Sequence, residues 1–352
     1  MRNYNLKDVA KATAQNKFTA ISLFSGVGGG CLGIKLAGGK ILAVNEFIEE
    51  AQRVYKINFP DIPIIPNDIR ELSGNDILEV AGIKKGELDL LAGSPPCSSF
   101  SSAGLRDEGW GKEKKYSDKK QRTDDLFYEF ARVLTEIQPK YFIAENVKGL
   151  TEGASKSILG SAQIDMFGQH EDTIYHTLSK AGYKVQYKVL NSLDYGVPQS
   201  RNRLIIVGVR NDIDFTYKFP LPETRIYTTL EEAFKNVKNT PEDILEADIS
   251  KYAVYQESLK LKPGSKSDKY FSLVKQSPKR YSDCLTQTAG TLSAASIVHW
   301  DNRKFTAKEA IEIMGFPTDI YLGETYSNKI ERLGRAITPI IYQKAISQLI
   351  IQ

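Results

Sequence analysis

The sequence predicts an α/β fold, a doubly wound and mostly parallel sheet with a smaller, irregular second domain. Short apolar runs alternate with amphipathic helical segments up to about residue 210, as in parallel sheets that are covered on both faces. After Arg210 this rhythm gives way to prolines, short helical pieces and lysine-rich loops. Because the length of 352 residues suits a large domain plus a smaller one, we expect a sheet domain at residues 1–210, completed by 325–352, and a smaller domain at 211–324.

The strands are predicted from apolar runs that end in turn residues, and the helices from apolar residues at helical spacing. The predicted strands are Phe18–Phe24, Ile41–Asn45, Pro63–Pro66, Leu88–Ala92, Tyr141–Ala144, Val185–Leu190 and Leu204–Val209. The predicted helices run from a glycine turn to about Ala37 and over Phe47–Asn58, Thr123–Ile137, His170–Ala181, Thr306–Met314 and Ile340–Ile351. Ligands of such sheets bind beyond the carboxyl ends of the strands, where the glycine turn and several reactive side chains fall.

Composition argues against several classes of protein. The net charge of +4 permits a nucleic-acid partner without requiring one. The cysteines, Cys31, Cys97 and Cys284, are widely spaced, which argues against a disulfide framework and for a reducing compartment. The histidines lack metal-ligand spacing, so we expect no metal. No apolar run approaches the roughly 18 residues of a membrane span, and we expect a soluble, cytoplasmic protein with no membrane partner.

A glycine turn, Gly26–Gly30, follows the first strand and opens a helix. Glycines there allow the backbone to approach a cofactor closely, although a simple tight turn would have the same composition. The dinucleotide fingerprint needs glycine at position 31, where this chain has Cys31, so a nucleoside cofactor without phosphates fits better. Glu46 and Asp68 end the next two strands, where an acid can accept from ribose hydroxyls or from a base amino group. Each acid alone is more often a solvated surface residue, but their shared position favours binding.

Four reactive side chains follow later strands. Cys97 comes after two prolines, Glu145 lies beside Asn146, and Arg201 and Arg203 are two residues apart. A thiol, a carboxylate and two guanidiniums can together attack a flat polar heterocycle and stabilise the charge that results. A lone cysteine is usually a small core residue, so the ordered set is more specific than any of its members.

These residues resemble the successive motifs of the DNA cytosine-5 methyltransferases. The matching segments are Phe24-Ser25-Gly26-Val27-Gly28-Gly29, Asn45-Glu46, Asp68-Ile69, Pro95-Pro96-Cys97, Glu145-Asn146-Val147, Gln199-x-Arg201-x-Arg203, Arg303-x-Phe305-Thr306-x-x-Glu309-Ala310, Gly315-Phe316-Pro317 and Gly334 to Pro339. The resemblance spans about residues 18–345, except for roughly 215–282, where the family has its variable target-recognition region. It implies a Rossmann-like methyltransferase sheet with a smaller irregular target-recognition domain, and double-stranded DNA as the partner.

The resemblance implies S-adenosylmethionine as the cofactor, S-adenosylhomocysteine as the product, and no metal. The cofactor-binding residues that it implies are Phe24, Gly26, Gly28, Glu46, Phe47, Asp68, Ile69 and Pro96. The two aromatic rings would flank the adenosine, and Glu46 would bind the ribose. Asp68 and Ile69 would contact the adenine, and Pro96 would lie near the methyl group.

The resemblance also implies the chemistry. The Cys97 thiolate would add to carbon 6 of a cytosine that is flipped out of the duplex, so that carbon 5 can attack a sulfonium methyl group. Glu145 would hold ring nitrogen 3 and the exocyclic amine, and Arg203 would donate to the ring carbonyl oxygen. Arg201 would raise the thiolate fraction or orient a phosphate.

The sequence departs from the family pattern at two positions, one directly after Cys97 and one in the last motif. Ser98 replaces the usual glutamine after the cysteine, and Arg335 replaces the usual asparagine that contacts the cofactor.

Two further segments have alternative predicted roles. The polar segment 106–122 is expected to be either a mobile lid or a surface insertion. The segment 258–281, rich in Lys and Arg with Asp268 as its one acid, is expected either to contact the DNA backbone or to be a solvated loop.

Alternatives to the leading hypothesis stay open. The same fold can act on tRNA, but the compact Cys-Phe-Thr signature of RNA-acting family members does not occur in this sequence. A nicotinamide-dependent oxidoreductase would need the missing third glycine, and a catalytically silent DNA-binding protein would need Arg335 to abolish cofactor binding. The leading hypothesis is a monomeric DNA cytosine-5 methyltransferase, the modification enzyme of a restriction-modification system, with a cognate restriction endonuclease that acts separately.

Overall fold

The computed structural model describes residues 4–96, 114–116, 119–121, 125–151, 174–223, 226–245 and 247–349. Its strands are β1 (Phe18–Leu23), β2 (Gly39–Asn45), β3 (Ile64–Ile65), β4 (Leu90–Gly93), β5 (Lys114–Tyr116), β6 (Lys119–Gln121), β7 (Tyr141–Val147), β8 (Tyr183–Asn191), β9 (Asn202–Arg210), β10 (Val274–Lys275) and β11 (Ile297–Val298). Its helices are α1 (Leu6–Thr13), α2 (Gly29–Leu36), α3 (Glu49–Asn58), α4 (Gly74–Ala81), α5 (Leu126–Ile137), α6 (Ile174–Lys180), α7 (Leu230–Phe234), α8 (Ala253–Lys260), α9 (Ala307–Met314), α10 (Tyr326–Arg335) and α11 (Pro339–Ser347).

Seven strands of the described residues form the main sheet, in the order β3-β2-β1-β4-β7-β9-β8. The strands from β3 to β7 pair in parallel, and β9 pairs antiparallel with β7. Both faces of the sheet are buried, because Ala20 and Leu90 on one face are as inaccessible as Ile21 and Leu91 on the other, all at 0% exposure. The predicted mostly parallel, doubly covered sheet is therefore confirmed.

One apolar cluster holds three helices against the sheet. It joins Ile77 of α4, Phe130 of α5 and Leu178 of α6 to strand residues such as Phe142 of β7. Phe130 and Phe142 meet edge to face, with ring centroids 6.0 Å apart. Replacing one of these buried rings by alanine would cost about 3–5 kcal/mol of stability, so α5 is a rigid support for the residues at its ends.

The chain forms two compact units. The larger unit comprises Ala10–Leu190, Asn202–Pro220 and Tyr342–Gln352, and the smaller unit comprises Met1–Val9, Asn191–Arg201 and Leu221–Ile341. The larger unit contains the main sheet, whereas the smaller one has short helices and the two-residue strands β10 and β11. The observed bounds differ from the expected 211–324, since the chain already enters the smaller unit at 191–201. That the smaller unit recognises DNA stays a prediction.

Some local expectations are corrected. The helix expected from Phe47 begins at Glu49, and β3 has two residues because prolines flank it. Strand β7 continues through Val147, because it pairs with β9 along its whole length. Glu145 therefore lies within a strand rather than beyond its end. The sequence patterns also miss α4 and α10, although a capping box at Ser73 marks the start of α4.

Candidate active site

The turn between β1 and α2 lies at the carboxyl edge of the parallel strands. Phe24 and Gly28 have φ angles of 55° and 93°, a region that glycine adopts without strain and that costs other residues free energy. A Cβ atom at Gly28 would lie 2.8 Å from Cε2 of Phe59, so the packing of α3 also requires glycine there. The turn thus has a fixed, strained shape with the half-buried Phe24 at its start.

The Glu46 carboxylate is bound to this turn. Its Oε2 atom accepts the N–H of Gly26 at 2.7 Å, and its Oε1 atom accepts the N–H of Ile48 at 2.8 Å. These charge-assisted bonds hold a buried carboxylate in one orientation, and a carboxylate oxygen can accept more than one donor. A Cβ atom at Gly26 would meet no atom within 4 Å, so the turn is open on that side of Gly26. The half-buried ring of Phe47 follows directly in the chain.

Asp68 follows β3 and caps the 3₁₀ turn Ile69–Glu71. Its Oδ1 atom accepts the backbone N–H of Arg70 at 3.0 Å, and Nη1 of Arg70 lies 3.2 Å from Oδ1 and 2.9 Å from Oδ2. Arg70 also donates to Asp125 through Nη2 at 2.7 Å and through Nε at 3.2 Å. Ile69 is buried in the apolar core, so its side chain anchors the turn while Asp68 stays partly accessible.

The loop that leads to Cys97 is tied to β7. Nδ2 of Asn146 donates to the Pro95 carbonyl at 3.0 Å, and its Oδ1 accepts the N–H of Val147 at 2.8 Å. The bond to Pro95 is possible because β4 and β7 are parallel neighbours, with Gly93 opposite Ala144. Pro95 is buried and Pro96 is half-buried. The predicted role of Asn146 in shaping this strand end thus has a specific hydrogen-bond basis.

Glu145 and Arg203 form an ion pair on neighbouring antiparallel strands. Nε of Arg203 lies 2.9 Å from Oε1 of Glu145, and the side chains are 14% and 10% exposed. In the register of β7 and β9, Arg203 lies opposite Val147 and Ile205 lies opposite Glu145. The two charged side chains are therefore diagonal neighbours on one face of the sheet, and the structure brings together the predicted acid and one predicted guanidinium.

Arg201 belongs to the smaller unit, where its side chain is 1% exposed. Nη1 donates to the Leu285 carbonyl at 2.8 Å, and Nη2 donates to the carbonyls of Gly334 at 2.8 Å and Ala336 at 2.9 Å. The last carbonyls of an α-helix lack partners within the helix, so the guanidinium caps the C-terminus of α10. These contacts make Arg201 a structural clamp. Its expected effect on the Cys97 thiolate stays a prediction.

Several predicted features cannot be placed. Cys97 and Ser98 lie outside the described residues, as does the segment 106–122 apart from β5 and β6. In the part of the chain that is described, no cluster of His, Cys, Asp and Glu side chains could hold a metal ion. No helix within the same ranges is long and apolar enough to cross a bilayer.

The sequence patterns miss the network of Arg70 with Asp125. The two residues are 55 positions apart, and no local spacing links them. A weak signal was available for Arg70, because it lies two positions after Asp68 in a turn.

Comparison with known proteins decides the family. Residues 18–350 match the model of the C-5 cytosine-specific DNA methylase. The chain belongs to this DNA methylase family. It is 30% identical to Type II methyltransferase M1.HphI of Haemophilus parahaemolyticus over 95% of this chain and 87% of the relative. It is 29% identical to Type II methyltransferase M.DdeI of Desulfomicrobium norvegicum over 92% of this chain and 86% of the relative. The resemblance inferred from the motifs is confirmed.

The methylase also shares its fold with solved structures. A DNMT2 variant of Spodoptera frugiperda superposes with a TM-score of 0.67 at 20% identity, over 94% of this chain and 99% of the other. The Dnmt2 methyltransferase of S. pombe superposes with a TM-score of 0.64 at 18% identity, over 94% of this chain and 98% of the other. At such identities the likeness concerns the fold alone, and it confirms the expected Rossmann-like methyltransferase sheet.

In the last motif of the methylase, Arg335 stands where the family pattern usually has asparagine. Nε of Arg335 donates to Gln287 at 2.7 Å, and Nη2 lies 2.8 Å from Glu331. A Cβ atom at the neighbouring Gly334 would lie 2.3 Å from the backbone nitrogen of Gln287. Close packing of α10 on the turn at Gln287 therefore requires glycine at 334 and places Arg335 in a polar network of the smaller unit.

Proposed function

We propose that this methylase transfers the methyl group of S-adenosylmethionine to carbon 5 of a cytosine flipped out of a specific duplex DNA sequence, as the modification enzyme of a restriction-modification system. The family match supports the reaction, and the Type II methyltransferase names of the relatives support the biological role. One observation carries the proposal. The hydrogen bond from Asn146 to the Pro95 carbonyl joins the strand residue next to Glu145 to the loop that leads to Cys97.

Cys97 is the proposed nucleophile. Its thiolate adds to carbon 6 of the cytosine, which breaks the aromaticity of the ring and makes carbon 5 nucleophilic. Glu145 binds ring nitrogen 3 and the exocyclic amine, and protonates the nitrogen as negative charge builds up. Arg203, which is oriented by its ion pair with Glu145, donates to the ring carbonyl oxygen. After methylation, a base takes the proton from carbon 5, the bond from sulfur to carbon 6 breaks, and the proton on ring nitrogen 3 returns to Glu145, which restores the ring and the thiolate.

Arg201 is proposed to support the site through the fold. Its guanidinium already donates to the carbonyls of Leu285, Gly334 and Ala336, and moving it toward a thiol would leave these buried acceptors without a charged donor. This role differs from the expected activation of the Cys97 thiol, and stability measurements distinguish the two.

The edge of the larger unit fits an adenosine group. When bound, S-adenosylmethionine supplies an electrophilic methyl group on its sulfonium. The Glu46 carboxylate, oriented by two backbone N–H groups, would accept the ribose hydroxyls, and the open side of Gly26 leaves room for them. The remaining contacts are proposed for Phe24, Gly28, Phe47, Asp68, Ile69 and Pro96. No metal is required for this reaction.

The experiment that tests the proposal uses duplex DNA that contains 5-fluorocytosine at the target position. This base should become covalently attached to the wild-type protein through Cys97, because fluorine cannot leave as the proton does. The Cys97→Ala variant should form no adduct and methylate no DNA, while it still binds S-adenosylhomocysteine. Turnover by that variant would overturn the proposal. Parallel assays on tRNA test the RNA alternative, and bisulfite sequencing of DNA from expressing cells identifies the modified sequence.

The protein is proposed to act as a monomer, separately from its cognate endonuclease. Size-exclusion chromatography with light scattering, with and without target DNA, measures the oligomeric state directly. A stable dimer in both conditions would contradict this part of the proposal.

A further inference from the structure

The carboxylate of Asp68 is held by a side chain that is itself anchored to α5. The single Nη1 atom of Arg70 contacts both oxygens of Asp68, and the other edge of the same guanidinium forms a two-pronged pair with Asp125. Asp125 immediately precedes α5, whose side chains Leu126 and Phe130 are fully buried in the core. A planar guanidinium with donors on two edges can transmit this rigidity from the helix to the carboxylate.

The contacts of Asp68 leave one defined acceptor position. A carboxylate offers about four lone-pair positions. Among the described residues, the Oδ1 atom of Asp68 accepts two donors, the backbone N–H and Nη1 of Arg70, whereas Oδ2 accepts Nη1 alone. The side chain is 19% exposed. One acceptor position on Oδ2 is therefore left for a donor from a ligand.

A second arginine secures the same turn in a different way. Nη2 of Arg132, on α5, donates to the backbone carbonyls of Ile69 at 2.8 Å and Leu72 at 2.9 Å. Arg132 thus holds the backbone of the turn, while Arg70 holds the carboxylate of Asp68. This division of roles supplies a matched control on the same helix and turn.

We propose that Arg70 is a positioning residue, which aims Oδ2 of Asp68 at the 6-amino group of adenine and so sets the selectivity for adenosine over inosine in the cofactor. The inference rests on the proposed function, in which Asp68 contacts the adenine. An amino group donates to a carboxylate, whereas the 6-oxo group of hypoxanthine presents a lone pair to the same oxygen and is repelled. Without the guanidinium, the backbone N–H at position 70 would hold Oδ1 alone. The carboxylate could then pivot about that one bond and turn Oδ2 away from either base edge, so selectivity depends on the contact of the Arg70 guanidinium with both oxygens.

The test measures binding of S-adenosylhomocysteine and of its 6-oxo analogue S-inosylhomocysteine to the full chain by calorimetry. Wild type should prefer the adenosyl ligand by about tenfold or more, as expected for one hydrogen bond to a charged group. Arg70→Met should bind the adenosyl ligand about tenfold more weakly while its affinity for the inosyl ligand changes little. Arg132→Met should weaken both ligands together and keep the selectivity. Circular dichroism confirms that each variant is folded.

The Asp68→Ala variant distinguishes the positioning role of Arg70 from the contact of Asp68 with the adenine. If Asp68→Ala loses the selectivity and Arg70→Met keeps it, the positioning role of Arg70 is wrong and the proposed contact of Asp68 stands. If wild type shows no selectivity, or Asp68→Ala keeps it, the proposed contact itself fails, and the inference with it. Loss of selectivity in both variants, together with its retention in Arg132→Met, supports the inference.

Discussion

Replacing Arg201 by methionine should destabilise the smaller unit strongly. The guanidinium donates to the carbonyls of Leu285, Gly334 and Ala336 at 2.8–2.9 Å, and the side chain is almost completely inaccessible. Methionine keeps much of the aliphatic volume but donates no hydrogen bond. The three carbonyls, of which that of Ala336 is partly buried and the other two are buried, would lose a charged donor. The C-terminus of α10 would lose its cap and a favourable charge at the negative end of its dipole.

The magnitude follows from the number of bonds. A hydrogen bond to a charged group contributes about 1.5–3 kcal/mol, so three such bonds set an upper range of about 4.5–9 kcal/mol. Carbonyls at a helix end can relax toward water or toward neighbouring N–H groups. We therefore expect a loss of about 3–5 kcal/mol, as when a buried charged network is broken. With an m-value of about 2 kcal/mol/M in urea, the unfolding midpoint should fall by about 1.5–2.5 M.

Trp300 is a reporter for this unit, because its ring stacks on His299 with centroids 3.6 Å apart. In a Trp110→Phe background, Trp300 is the remaining one of the two tryptophans, and its fluorescence follows the unfolding of the smaller unit in urea.

The matched control is Arg335→Met, which removes a 23% exposed arginine near the same end of α10 and should cost less than about 1 kcal/mol of stability. A midpoint for Arg201→Met within about 0.3 M of its parent would contradict the clamp. Arg201→Lys, which keeps the charge but cannot reach all three carbonyls, should resemble the methionine variant.

Three further outcomes are expected. Asn146→Ala removes the hydrogen bond that anchors the loop before the nucleophile and should lower kcat about tenfold or more at unchanged affinity for S-adenosylhomocysteine, as single-turnover methylation and calorimetry would show. Burial and the positive charge of Arg303 lower the pKa of His299 to about 4. The unfolded state therefore takes up a proton at a higher pH than the folded state does. The free energy of unfolding should keep its full value above about pH 6.5 and fall by up to about 3 kcal/mol as the pH drops toward 4. The urea midpoint of His299→Gln should vary less with pH. Burial lowers the pKa of Lys304 to about 8, because the charged form is disfavoured in the folded protein. Lys304→Met should therefore raise the urea midpoint of unfolding at pH 7. This increase should disappear near pH 10.5, where the lysine of the unfolded state also becomes neutral.

The motif of Arg201 and Arg203 illustrates where prediction from sequence succeeds and where it stops. A spacing of two residues suggests a strand with both guanidiniums on one face, and both were expected at the catalytic site. Strand β9 begins at Asn202, so Arg203 projects from the sheet next to Glu145. Arg201 precedes the strand and lies in the smaller unit. The identity of the residues could not reveal this, because the strand boundary depends on pairing with β7.

The sequence alone was sufficient for the family, for the mostly parallel sheet and for the placement of Glu46 and Asp68 just after strands of its parallel part. Apolar periodicity reports local burial, and the ends of parallel strands must lie together. The tertiary structure was needed for the partners of the long side chains. Arg70 meets Asp125 across 55 positions of the chain, and Arg201 meets Gly334 across 133. Such contacts depend on how distant elements pack, and no local pattern of residues encodes that packing.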